Sequence, residues 1–255
     1  MNARLSYRFS QKFSVFSSYR LSNNAPRVGQ LSPFVNVSNP LNIRQGNPDL
    51  KPTNTHRMYF GANNYDYQAR SGFYSYGNFD ITNDAVVAKT TVDENFVRTT
   101  TYTNVNGVYN IGGNFGYEKK IKLDSIRTVG YNVGINLNTN RSVNFNNDIQ
   151  YSSNTTTYGP NLGLDFIWED VFEISPSYNL NYTKNSFDIT LFENREFLQH
   201  NARLRTSLTL FKGLTWDNDV RYNYNPDVQK DFRRVLFFGT VRYRMRCSKK
   251  KAELH

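Results

Sequence analysis

Apolar and polar residues alternate with a period of two along most of this chain, the spacing that puts one residue class on each face of a β-strand. In ARLSYRF, Leu5, Tyr7 and Phe9 share one side and Arg4, Ser6 and Arg8 the other. After Ser10-Gln11-Lys12, Phe13, Val15, Tyr19 and Leu21 resume the pattern, so three polar residues join two strands as a hairpin. Phe73, Phe79 and Ile81 continue it, then Tyr109, Ile111, Phe115 and Tyr117, and Val129, Tyr131, Val133, Ile135 and Leu137 form the cleanest run. Leu162, Leu164, Phe166 and Trp168 follow, then Phe172, Ile174, Tyr178, Leu180 and Tyr182, then Leu204, Leu208 and Leu210. Trp216, Val220, Tyr222 and Tyr224 precede a last run of Val235, Phe237, Val241, Tyr243 and Met245. The intervening positions carry mostly Asn, Ser, Thr, Asp and Arg.

Read this way, the chain predicts eleven strands, at 3–9, 13–21, 54–66, 71–92, 96–118, 126–140, 147–168, 171–186, 197–211, 214–225 and 232–245. Several are two or three times longer than the modal strand of about 5–6 residues. The links alternate in length. Short ones fall at Ser10–Lys12, around Asp66–Arg70, and at Lys119–Ser125, Glu169–Asp170, Lys212–Gly213 and Arg246–Lys251. Between them lie one very long loop, Ser22–Thr53, and variable ones near 92–95, 141–147, 187–196 and 225–231. The prediction is an all-β fold: an antiparallel up-and-down meander with nearest-neighbour pairing throughout, forming part of a large transmembrane β-barrel. Leu5, Tyr131, Val133, Ile135, Leu164, Phe166, Leu208, Val241 and Tyr243 are predicted to face lipid, and Asn132, Gly134, Asn136, Asp165 and Arg242 the interior. Aromatics flank the short turns, Phe9 with Phe13, Trp168 with Phe172 and Phe211 with Trp216, as expected of a girdle at a headgroup boundary.

Composition supports strands over helices. Only 38% of residues are hydrophobic, yet 18 Tyr, 19 Phe and 2 Trp make 15% of the chain aromatic. No stretch approaches the roughly 18 apolar residues of a transmembrane helix, whereas a spanning strand needs about 9–11. MNARLSYRFSQKF has no continuous apolar segment, so no signal peptide is read; an exported protein has either lost it or is missing its N-terminal part. The net charge of +10 comes from 31 Lys and Arg scattered singly, apart from Lys249, Lys250 and Lys251. Dispersed charge fits a wet interior or contact with anionic lipopolysaccharide, and nucleic acid is not an expected partner.

The reactive side chains form no recognisable catalytic set. The lone Cys247 excludes an internal disulfide and a cysteine-based zinc site. His56, His200 and His255 have no metal-ligand spacing. Gly112-Gly113 with Gly116 sits inside an alternating segment without the Lys of a phosphate loop, so closer strand approach is the favoured role. Glu193, Glu196, Asp217 and Asp219 can supply paired carboxylates but lack a surrounding motif, and no G-x-S-x-G marks a nucleophile. No catalytic, metal-binding or cofactor-binding residue is predicted, and the chain is not expected to be an enzyme.

The run SNPLNIRQGNPDLKPTNTH, Ser38 to His56, resembles the loop-to-strand passage of TonB-dependent outer-membrane receptors. Gly46-Asn47-Pro48-Asp49-Leu50-Lys51-Pro52 matches their loop motif, with Thr53 where Glu is frequent. TYTNVNGVYNIGGNFGY, YGPNLGLDF, ENREFLQHNARLRT and NDVRYNYNPDV are similar to the outer-membrane β-barrel family of Bacteroidetes-type bacteria, relatives of those receptors. The resemblance implies a barrel of about 22 strands, of which residues 1–255 are a partial domain without the family's signal peptide, plug or terminal strands. It implies a bacterial outer-membrane location and TonB-dependent uptake of a metal chelate, glycan or peptide. Implied partners are outer-membrane lipid and lipopolysaccharide, a plug domain, a TonB-type energy-coupling protein and the nutrient itself. A structural or adhesion barrel is the alternative, and a soluble β-sandwich or lectin-like module a third reading.

Independently of the family, Pro48 and Pro52 fix φ and offer no N–H, which keeps them out of a strand ladder. Asn47 before Pro48 is pushed to extended backbone. Arg44, Asn47, Pro48, Asp49, Leu50, Lys51 and Pro52 are therefore the candidate site residues: first a rigid lead-in to the next strand, second a place for a ligand to touch.

Overall fold

The computed structural model describes residues 1–35, 38–211, 214–228 and 232–245. The links expected at Lys212–Gly213 and Arg246–Lys251, with Cys247, Lys249, Lys250, Lys251 and His255, lie outside them, as does the Phe211 side chain with its expected pairing to Trp216. In chain order the elements are β1 (Asn2–Arg8), β2 (Phe13–Asn24), a single helical turn α1 (Val28–Leu31), β3 (Asn42–Arg44), β4 (Thr53–Asp66), β5 (Ser71–Asn83), β6 (Ala85–Val92) and β7 (Arg98–Val105). They continue with β8 (Val108–Lys122), β9 (Arg127–Asn146), β10 (Ile149–Trp168), β11 (Phe172–Phe187), β12 (Arg195–Phe211), β13 (Leu214–Tyr224) and β14 (Val235–Met245).

Eleven of the strands form one antiparallel sheet in the order β1-β2-β4-β5-β8-β9-β10-β11-β12-β13-β14, with β1 and β14 as its edges. Directly opposed residues project to the same side of a sheet, so the register can be followed across every seam. Tyr7 stands opposite Val15, Val15 opposite Ala62, Phe73 opposite Tyr117, Tyr117 opposite Val133, and Val133 opposite Leu162. Farther on, Phe166 meets Ile174, Phe172 meets Leu208, Leu208 meets Trp216, and Trp216 meets Tyr243. Every apolar run read from the sequence falls on this one face. Asn132, Gly134, Asn136, Asp165 and Arg242 all fall on the other, which is the polar face.

The apolar face has a defined height. Along β10 it runs from Trp168 to Tyr158 before giving way to Thr156 and Asn154. Ten residue steps make about 33 Å, and a strand tilt of about 40° reduces that to about 25 Å, the height of an outward apolar band in a membrane barrel. Aromatic rings line both margins. Near the short turns Phe9 stacks on Phe13 with ring centroids 5.2 Å apart, and Trp168 lies 5.8 Å from Phe172. At the opposite margin Tyr158 stacks on Tyr182 at 6.1 Å, Tyr19 Oη lies 2.8 Å from His56 Nδ1, and His200 sits between Tyr178 and Tyr224. Two rings of amphipathic side chains bounding an apolar band are the arrangement that a bilayer selects.

The sheet has almost no interior. Among the described residues only Leu50, Ala85, Val105 and Val143 are buried hydrophobics. Its accessible surface is 18419 Å² for 29.7 kDa, against about 11,600 Å² for a compact soluble monomer of that mass. A soluble sandwich buries its apolar face in a second layer; here Leu5, Phe237 and Tyr243 remain 71%, 71% and 66% exposed.

Four features depart from the sequence reading. The strands read at 71–92 and 96–118 each break, at Asp84 and at Asn106-Gly107, where φ is +52° for Asp84 and +83° for Gly107. Their outer parts, β6 and β7, leave the main sheet as a separate hairpin, and residues 92–95 belong to its tip rather than to a link of the meander. Antiparallel pairing also fails once, where β3, from within the long loop, pairs parallel with β7. Finally, the loop read at 141–147 is a two-residue turn, Asn147-Asp148, with φ of +44° and +68°. Asn and Asp tolerate that left-handed backbone because their short side chains can bond locally, so β9 and β10 run on for 20 residues each. At about 3.3 Å per residue they outreach the apolar band, and the β6–β7 hairpin packs against the projecting part through Ala85, Val105 and Val143.

If lipid covers the apolar face, Val133→Arg or Leu164→Arg should lower stability by about 2–4 kcal/mol, whereas Asn132→Arg and Asp165→Asn should change it little. Urea unfolding of the barrel in lipid vesicles measures the difference; equal penalties on both faces would reject the assignment.

Candidate functional site

The loop motif is held by backbone bonds on every side. Gly46 N–H donates to the Ser32 carbonyl at 2.9 Å and Asn47 N–H to the Gln30 carbonyl at 2.6 Å, tying it to α1. Gly46 is buried so closely that a Cβ there would lie 2.5 Å from the Ser32 oxygen. Asn47 Oδ1 accepts from Asp49 N–H at 2.9 Å, the local turn that an Asn before a proline favours. Its Nδ2 donates to the Tyr102 carbonyl on β7 at 3.0 Å, and Leu50 is 8% exposed. Pro48 and Pro52 are exposed and need no donor partner.

Asn104 is the latch. Its Oδ1 accepts from Lys51 N–H at 2.8 Å, while its Nδ2 donates to the carbonyls of Lys51 at 3.0 Å and Asp84 at 2.7 Å. Thr53 Oγ1 donates to the same Asp84 carbonyl at 3.1 Å, and Asp84 N–H donates to Asn106 Oδ1 at 2.8 Å. One side chain thus fastens the motif to the point where β5 ends and the hairpin begins. The structure brings Asn47, Leu50 and Lys51 into this clamp and leaves Arg44, Pro48, Asp49 and Pro52 on the surface. Tyr102, Asn104, Asp84 and Asn106 went unrecognised in the sequence; Asn106-Gly107, a turn dipeptide inside a supposed strand, was the available signal.

The polar face divides into three zones. Over β2, β4 and β5 the rings of Phe16, Tyr59, Tyr74 and Tyr76 form a cluster, with Phe16 5.6 Å from Tyr59 and Tyr74 5.7 Å from Tyr76. These rings break the apolar/polar alternation and were not foreseen; the i, i+3 spacing of Phe13 and Phe16 already places them on opposite faces. Over β8 to β11 the face is amide and glycine. Asn161 lies over Gly134, Asn132 over Gly163 and Asn181 over Gly159, and Asn138 Nδ2 donates to Asn110 Oδ1 at 3.0 Å. Gly112 lies between the Asn78 and Asn138 side chains, which fits the close-approach role expected of the β8 glycines. Over β12 to β14 arginine and aspartate alternate across strands, with Asp217 and Asp219 ion-paired to Arg244, Arg203 and Arg221.

A second loop is docked by one carboxylate. Asp188, just beyond β11, accepts from the Ser152 hydroxyl at 2.6 Å and its N–H at 2.7 Å, which holds its carboxyl below the usual range. The folded form of such a group is favoured above the ordinary carboxylate value of about 3.9 and loses that advantage as pH falls through the depressed one. Residues 188–194 should therefore stay protected from proteolysis at pH 5 to 8, open in more acidic buffer, and open at neutral pH in Asp188→Asn. Asn104→Ala removes three hydrogen bonds, and the loop of 25–52 should become about tenfold more susceptible to limited proteolysis.

A scan against protein-family models matches this chain over residues 2–158 to the outer membrane protein beta-barrel family. No curated protein matches it. The matched part holds the long loop, the hairpin and the strands β1 to β9, and beyond it the same register carries on to β14. The apolar face is accordingly the lipid-facing one and the polar face the lumenal one. An apolar band bounded by aromatic rings, a polar wall behind it and this match together place the chain in the outer membrane protein beta-barrel family, located in the bacterial outer membrane.

Proposed function

We propose that this chain is the wall of an outer-membrane transport barrel that admits a nutrient by TonB-dependent uptake. The observation that carries the reading is the lumenal face: eleven adjoining strands whose inner side is largely Asn, Ser, Thr, Gly and Arg. An eight-stranded barrel is just wide enough for its own side chains, whereas barrels of about 22 strands have a lumen that needs a plug. A wall of eleven strands, lined with small amides and glycines, belongs to the wider class. In this reading residues 1–255 are part of the barrel domain. A plug domain fills the lumen, a TonB-type protein supplies energy, and the loops at the projecting end meet a metal chelate, glycan or peptide. Lipopolysaccharide packs against the outer tyrosine belt, and the barrel moves its cargo without making or breaking its bonds.

The test is genetic. A strain deleted for the whole gene is supplied with chelated metals, glycans or peptides as sole source, with and without its energy-coupling protein. Loss of growth on one class, restored by the gene only when coupling is intact, is expected. Normal growth on all three classes would reject the transport reading, and uptake that persists without coupling would reject its TonB dependence.

A further inference from the structure

We propose that the lumenal face of β12, β13 and β14 binds a small multivalent oxyanion, a polycarboxylate or phosphate, through Arg205 and Arg242. The inference deepens the transport reading and rests on it, because it names the class of solute that this part of the wall holds.

The carboxylates of β13 are fully used by other partners. Asp219 takes Arg203 Nε on Oδ1 at 2.8 Å and Arg203 Nη2 on Oδ2, and Arg221 adds two bonds of 3.1 and 3.0 Å. Asp217 is held by Arg244 through Nε at 2.7 Å and Nη2 at 2.9 Å, and Ser207 Oγ donates to it at 2.8 Å. These pairs fix three arginines around two aspartates. Arg205 and Arg242 line the same depression, of about 460 Å³, and among the described residues neither guanidinium has an ion pair or hydrogen bond. Glu173 also lines it and accepts from Ser175 Oγ at 3.3 Å. The depression is lined by four arginines and three acids, and Arg203, bonded to Asp219 beside it, raises the positive excess from one to two.

Geometry makes the ligand multivalent. Arg205 stands opposite Asp219, and Arg242 opposite Asp217, one strand farther and two residues along. Two strand spacings and one two-residue step put their Cα atoms about 12 Å apart. Two side chains of arginine length can converge from there on one small molecule with an anionic group at each end. A guanidinium fork matches carboxylate or phosphate oxygens two at a time, and the volume lies within the usual range for small-molecule sites, roughly 300–1,000 Å³. Arg203, Arg221 and Arg244 each lose bonds to an aspartate if they turn to the ligand, so recognition falls first to Arg205 and Arg242, which have none to lose.

The experiment uses the whole protein in detergent, titrated calorimetrically with citrate and with pyrophosphate. Saturable binding of at least one is expected, weakened by added salt and about tenfold or more weaker in Arg205→Gln/Arg242→Gln. It should be unchanged in Lys120→Gln, which removes a lumenal charge from β8. Heat-modifiable migration checks folding; if the double variant does not fold, Arg205→Lys/Arg242→Lys must bind more weakly, because it keeps charge and loses the fork. Absence of saturable binding, or equal binding by every variant, overturns the proposal. Binding is read separately from growth, so normal growth with retained anion binding would fail the transport reading alone.

Discussion

Face parity across the sheet is the constraint on which this structure depends. Side chains alternate with a period of two, so a slip of one residue at any seam would move a whole strand's aromatic side into the lumen and its polar side towards lipid. The seams hold that parity from β1 to β14, even where the ladder is damaged. Pro160 and Pro176 lie inside β10 and β11 and cannot donate. At that seam the pairing skips from Tyr158–Tyr182 to Asn161–Asn179, and from Gly163–Ser177 to Phe166–Ile174, yet resumes with the same faces aligned. The irregularity between Thr209 and Phe211, at the end of β12, falls beside the turn, where it displaces no spanning pair.

That constraint explains why so much was readable from the sequence. A face that must be greasy on every strand writes its period into every strand, and the runs through Val133, Leu164, Tyr178 and Tyr243 all came out on one side. The boundaries on the short-turn side were readable too, because turns such as Glu169-Asp170 interrupt the period abruptly. What the period does not encode is where a strand stops belonging to the main sheet. Ala85, Val87 and Val105 alternate as a spanning strand would, but they cover Val143 and Phe145 beyond the membrane. The information that separates the two cases lies in single backbone positions, Asp84, Gly107 and Asn147-Asp148, whose left-handed φ ends or reverses a strand without disturbing the pattern on either side.

The loop motif shows the same division. Its prolines announce a shaped segment, and the structure adds the bonds of Asn47 and Lys51 to the hairpin. Its partners were hidden because they lie over fifty residues away on β7, and no local rule links Asn104 to Lys51. The clamp also gives the long loop a reason to be rigid. Residues 25–52 would otherwise pay a loop's full ordering entropy. Here that cost is offset by α1, the parallel β3–β7 pairing and the Asn104 bonds, which tie the described part of the loop to the β6–β7 hairpin.

Chemistry on the lumenal face follows from which side chains its strands bring side by side. The middle strands place glycine beneath asparagine, where a Cβ would meet the amide, and Asn138 bonds Asn110 without leaving charge. Arginine close to other arginines on such a wall is costly unless carboxylates stand between them, because like charges repel at short range. Most of the β12–β14 arginines obey that rule by sharing Asp217 and Asp219. The two exceptions, Arg205 and Arg242, stand on either side of β13 in one depression, where the aspartate oxygens are engaged by other arginines. The wall thus changes character along the sheet, from neutral amides over β8 to β11 to paired and unpaired arginines over β12 to β14.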